Sequence, residues 1–188
     1  MTQSIALTLF HLMELIETQG IYTLRAFIKR AEEEKGTRSH AMLASDPDYQ
    51  TLAGMVNSIT EDHPKLLALK KLVSDQLMVN PKSRMLIFTQ YRDTATHIVE
   101  ELRALKGVSV DRFVGQASKG KDRGMSQDQQ ARMIRALEEG EINVMVSTSI
   151  AEEGLDIPAV DHVFFYEPIP SEIRYIQRRG RTRRKAPG

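Results

Sequence analysis

From Pro64 onward, short apolar runs alternate regularly with helical stretches, and this alternation constrains the fold more than any other feature. The runs are Arg84–Thr89 (RMLIFT), Val108–Val114, Ile142–Ser147 (INVMVS) and Val160–Tyr166 (VDHVFFY). Between them the spacing predicts helices over about 92–105, closed by Gly107, and 125–137, closed by Gly140. A further helix, opened by Pro64 and stopped at Asn80-Pro81, precedes the first run, and another over 171–179 follows the last with Ser171 as its N-cap. Strands that alternate with helices of this length imply βαβ units and a parallel sheet. Such sheets bind ligands beyond the carboxyl ends of their strands, which here means after Phe88, Val114, Val146 and Tyr166.

The first sixty residues follow another pattern. Ile5, Leu9, Leu12, Met13 and Ile16 recur at helical spacing up to Gly20, and Ile21, Leu24, Phe27, Ile28 and Ala31 repeat it. Residues 36–48 read as a loop and Tyr49–Ile59 as a third short helix. The expected organisation is therefore a small all-α segment over 1–62 followed by an α/β domain over 63–188. The apolar stripes of the helical segment are core-facing in character and carry no chemistry.

Composition removes several function classes. Cysteine is absent, which excludes disulfides, cysteine zinc sites and a thiol nucleophile, and His11, His40, His63, His97 and His162 show no metal-ligand spacing. No window approaches the ~18 uncharged apolar residues of a membrane span, and Glu14 and Glu17 interrupt any secretory segment at the start. A cytoplasmic location is expected, nucleoid-associated if the source is archaeal. The net charge of +1 hides a local asymmetry. Between Ser171 and Gly188 stand seven basic residues and one acid, Glu172, a patch suited to phosphate-rich partners.

One stretch imitates a phosphate loop. Gly115-Gln-Ala-Ser-Lys-Gly120-Lys121-Asp122 follows a strand and fits G-x-x-x-x-G-K, but Asp122 stands where a serine or threonine hydroxyl would ligate Mg²⁺. A carboxylate there would face the β-phosphate. The sequence holds no other candidate and no D-E-x-x box, so an ATPase built on this chain needs its phosphate cradle and Mg²⁺ carboxylates from outside.

Two segments carry the chemistry. After the third strand comes Ser147-Thr148-Ser149, then Gly154-Leu155-Asp156-Ile157-Pro158, where hydroxyls can bind phosphate, glycine allows close backbone approach and Asp156 suits a ribose. An ordinary strand-to-helix turn is the equally plain alternative. The last helix ends in Gln177-Arg178-Arg179-Gly180-Arg181-Thr182-Arg183-Arg184, five arginines in seven residues from Arg178. Clustered guanidinium groups fit a transferring phosphoryl group or a nucleic-acid backbone, and a solvated basic tail is the bland reading.

The order Leu86-Ile-Phe-Thr-Gln-Tyr-Arg92, then Ser147-Thr148 with Glu153-Gly154-Leu155-Asp156, then Gln177 to Arg184 resembles motifs IV, V and VI of superfamily 2 helicases. The stretches Phe113-Val-Gly-Gln-Ala-Ser118 and Gly124-Met-Ser-Gln127, with His63-Pro-Lys-Leu66, resemble the archaeal Hef and Fanconi anaemia M helicase group. The resemblance covers roughly 62–185 and implies a C-terminal RecA-like domain, a parallel sheet flanked by helices. By position, the preceding helices would be the tail of a helical insertion between two RecA-like domains.

The resemblance implies roles residue by residue. Arg181 and Arg184 would be arginine fingers on ATP, while Gly154, Asp156, Gln177 and Arg178 would lie on its ATP-binding side. Thr148 would contact the nucleic-acid backbone, with Gln90, Tyr91 and Arg92 near the strand and Gly115, Gln116 and Gln127 adding contacts. Arg183 stands where the family usually has glycine, which puts the role of Arg184 in question. ATP and Mg²⁺ would be held mainly by a first RecA-like domain, the expected partner alongside nucleic acid. DNA is favoured, an RNA-directed enzyme is the alternative, and a non-catalytic nucleic-acid-binding module is a third reading. Ending at Gly188, four residues past Arg184, the sequence is expected to belong to a longer protein.

Overall fold

The computed structural model describes residues 2–33, 42, 44–117, 122–148 and 159–168. The chain forms two compact units, Met1–Leu67 and Ala68–Gly188.

The first unit holds α1 (Thr2–Thr18), α2 (Ile21–Glu33), α3 (Pro47–Ser58) and the start of α4 (Pro64–Val79). Its core is drawn from Leu12, Leu15, Leu24, Ile28, Tyr49, Ala53 and Val56. Gly20, at φ +93°, turns α1 into α2, and a Cβ there would come within 2.8 Å of His63 Cβ. Only glycine fits that turn without strain. Cations close the helix ends: Lys65 donates to Thr18 O, and Arg25 donates to Val56 O and Ile59 O at 2.9 and 2.6 Å. Both place positive charge where unpaired carbonyls concentrate negative potential. The expected third helix over 49–59 starts earlier, at Pro47, because Asp46 accepts hydrogen bonds from the N–H groups of Asp48 and Tyr49. Met42 and Ala44, within the stretch read as loop, have helical backbone.

The second unit continues α4 and adds β1 (Met85–Thr89), α5 (Arg92–Arg103), β2 (Val110–Phe113), α6 (Gln127–Glu139), β3 (Val144–Thr148) and β4 (His162–Phe165). Among the described residues these four strands pair in parallel, in the order β2-β3-β1-β4. The two central strands are buried throughout, as strands covered on both faces must be. The β1–β2 and β2–β3 connections cross the sheet in opposite directions, so right-handed crossovers put α5 and α6 on opposite faces. α5 turns Thr94, Ala95, Ile98, Val99 and Leu102 inward. On the other face Leu86, Phe88, Phe113, Met145 and Val160 pack with Leu137 of α6, each large side chain contributing about 1.5–3 kcal/mol by burial.

Strand ends are shorter than the apolar runs for local reasons. The Val108 N–H bonds Leu105 O in a turn, and Ile142 N–H reaches back to Ala136 O at the end of α6, so neither residue enters the ladder. Arg84 closes the same helix end, its Nε and Nη2 donating to Leu137 O at 2.5 Å and Glu138 O at 2.8 Å. α6 starts two residues later than expected because Met125 N–H is taken by Gly115 O and Ser126 forms a capping box with Gln129.

Candidate nucleic-acid interface

β1 and β3 lie side by side, and their connections leave toward opposite edges of the sheet. Adjacent carboxyl ends of this kind open a crevice, the usual ligand position in an open parallel sheet. Thr89 and Thr148 occupy paired register positions at that point and both are buried. The Thr148 hydroxyl is buried and has no hydrogen-bond partner among the described residues. Ser147 Oγ donates to Thr148 O at 3.0 Å.

Beyond β1 the chain turns through Gln90 and Tyr91 into α5. Gln90 is exposed and Tyr91 half-buried, standing as N-cap without a side-chain cap bond. Glu167, just past β4, fixes this turn. Its carboxylate accepts from Thr89 Oγ1 at 2.6 Å and from the Gln90 N–H at 3.1 Å. Glu167 is buried and was not singled out from the sequence; the only signal was an acid closing an apolar strand run.

Arg92 opens α5, but its side chain is only 12% exposed. Nη2 donates to Gly115 O at 3.1 Å, and Nη1 lies 3.6 Å from Asp122 Oδ2. The structure thus joins two of the expected strand-contact residues, Arg92 and Gly115, directly. Gly115 is buried, Gln116 exposed, and Gln127 exposed at the first position of α6. Gly124 passes so close that a Cβ would sit 2.0 Å from Gln116 O. Gln130 Nε2 donates to Val114 O at 3.0 Å, anchoring α6 under the same loop.

The expected ATP-side residues Gly154, Asp156, Gln177 and Arg178, and the fingers Arg181 and Arg184, lie outside the described residues. Among the described residues no group of three or more histidine, aspartate or glutamate side chains is placed to hold a metal ion.

A four-stranded parallel sheet with helices on both faces and a switch point between β1 and β3 is a RecA-like α/β domain. The chain belongs to the helicase conserved C-terminal domain family, whose model matches residues 64–186, and is a superfamily 2 helicase C-terminal domain. Residues 1–63 match a second model, "Putative ATP-dependent RNA helicase, helical bundle". The chain is 44% identical to the Pyrococcus furiosus Hef helicase domain, with a TM-score of 0.69, covering 98% of this chain and 38% of that one. It is 41% identical over 179 residues to "Putative ATP-dependent RNA helicase MJ1505" of Methanocaldococcus jannaschii, covering 95% of this chain and 22% of the relative. It is 35% identical over 201 residues to the ATP-dependent DNA helicase mph1 of Neurospora crassa, covering 100% of this chain and 17% of the relative. The chain therefore spans about a fifth of these two relatives.

Proposed function

We propose that the chain is the C-terminal motor half of an ATP-dependent DNA helicase or translocase of the Hef type, acting on branched or fork-like DNA. The observation that carries this reading is the switch point at the paired, buried ends of β1 and β3, with Gln90, Gln116 and Gln127 exposed on the turns and helix that follow the strands. Amide side chains and backbone groups there suit a sugar–phosphate strand, which they can grip without reading its sequence. The similarity to Hef and mph1, whose names state helicase activity, supports the same class.

In this reading ATP and Mg²⁺ are held mainly by a first RecA-like domain. Closure of the two domains brings Arg181 to the γ-phosphate, with Arg184 beside it and Gly154, Asp156, Gln177 and Arg178 facing the nucleotide. A finger supplied in this way is worth ~10³–10⁵ in rate. Opening after turnover shifts the grip on the strand, which Thr148 helps to hold. The chain alone hydrolyses no ATP. The loop after β2 supports this: Asp122, standing where a phosphate loop carries its hydroxyl, is paired with Arg112.

An RNA-directed enzyme is the second reading, favoured by the description of the helical-bundle model and the name of the Methanocaldococcus relative. ATP hydrolysis by the longer protein, stimulated in turn by matched DNA and RNA forks, separates the two. Stimulation by DNA forks alone supports the first reading, by RNA forks alone the second, and by neither sinks both. A cytoplasmic site of action is part of the proposal; no described helix is long and apolar enough to cross a membrane.

A further inference from the structure

Asp122 spoils the phosphate-loop match, and its surroundings give it a different part. Its carboxylate takes both arms of Arg112, Nη2 to Oδ1 at 2.7 Å and Nη1 to Oδ2 at 3.1 Å. Arg112 Nη1 also donates to Thr96 Oγ1 on α5 at 2.9 Å. The same carboxylate faces Arg92, whose Nη1 is buried without a hydrogen-bond partner. Two guanidinium groups thus share one carboxylate. Without it they would repel each other, and the inward-turned charge of Arg92 would lose its nearest counter-ion. What Arg92 holds is Gly115 O, which also accepts the N–H of Met125 at the approach to α6. Gly124 closes the loop against Gln116 O with no room for a side chain. The contacts run from α5 through Arg92 to Gly115, and from β2 through Arg112 to Asp122.

We propose that Asp122 is a positioning residue: it keeps Arg92 turned inward as a clasp on Gly115, and so fixes the Gly115-Gln116 backbone for the bound strand. Arg92 then acts as a brace, not as a phosphate ligand. This rests on the reading that the face grips nucleic acid.

The competing account makes Arg92 a phosphate ligand that Asp122 merely masks, and the two differ in sign. Removing a negative charge beside a phosphate site tightens binding; removing a brace weakens it. The test is titration of a fluorescently labelled single-stranded oligodeoxynucleotide, across a salt series, with the longer protein that carries both RecA-like domains. Asp122→Asn is expected to weaken binding by about tenfold, and Asp122→Glu, which keeps the carboxylate, to recover most of it. Arg92→Ala is expected to weaken binding with the slope of log affinity against log salt unchanged, since no phosphate contact is lost; a phosphate ligand would lower that slope by about 1. Equal or tighter binding by Asp122→Asn, or a reduced slope for Arg92→Ala, overturns the proposal. Should Asp122→Asn fail to fold, the Arg92→Ala slope decides alone. If the unsubstituted protein binds no oligonucleotide at any salt, the functional reading falls and takes this inference with it.

Discussion

Thr89 and Glu167, 78 residues apart in sequence, are joined by a buried 2.6 Å hydrogen bond that ties the end of β1 to the end of β4. The second oxygen of the same carboxylate holds the Gln90 N–H. Thr89→Val keeps the shape and removes the donor, leaving a buried carboxylate short of one bond. The expected cost is about 1–3 kcal/mol, read as a lower urea midpoint at unchanged slope. An unchanged midpoint would show that the bond is replaced at no cost.

Two glycines make opposite predictions for the same substitution. Gly124→Ala drives a Cβ to 2.0 Å from Gln116 O, so the loop must move. A loss of about 1–3 kcal/mol is expected, together with weaker oligonucleotide binding as Gln116 is displaced. Gly54, inside α3, has nothing within 4 Å of an added Cβ, and Gly54→Ala is expected to stabilise by about 0.5–1 kcal/mol. Thermal unfolding of the two variants checks both signs.

The first unit carries a pH-dependent element. Burial raises the Tyr49 phenol above its ordinary value of 10.0, and the nearby Glu32 carboxylate adds to the shift. The folded state therefore favours the neutral phenol. Its contribution to stability is complete below the unfolded value and is lost as pH rises through the folded one. Denaturant unfolding between about pH 9 and 11 should show stability falling with pH, and Tyr49→Phe should flatten that fall. An identical slope in both proteins would remove Tyr49 as its cause.

The parallel sheet was legible in the sequence because buried strands read as continuous apolar runs, as within RMLIFT and INVMVS. The strand order was not, since it depends on which edges pair and not on any local pattern. Boundaries shifted where a side chain or turn competes for a backbone group: Asp46 extended α3, Ser126 and Gly115 delayed α6, and Ile142 stayed with the helix before it. Within the site, the family resemblance named Gln90, Gln116 and Gln127 as strand contacts, and the structure leaves all three exposed. It could not show that Arg92 turns inward or that Glu167 holds the β1 turn, because both depend on partners brought near only by the fold.

In the proposed function this domain completes an ATPase site housed elsewhere, led by Arg181. Its most direct test is steady-state ATP hydrolysis by the longer protein with and without Arg181→Ala, at saturating DNA and ATP. DNA-stimulated turnover is expected to fall by ~10³-fold or more while oligonucleotide binding persists. Turnover equal to that of the unsubstituted protein would contradict it.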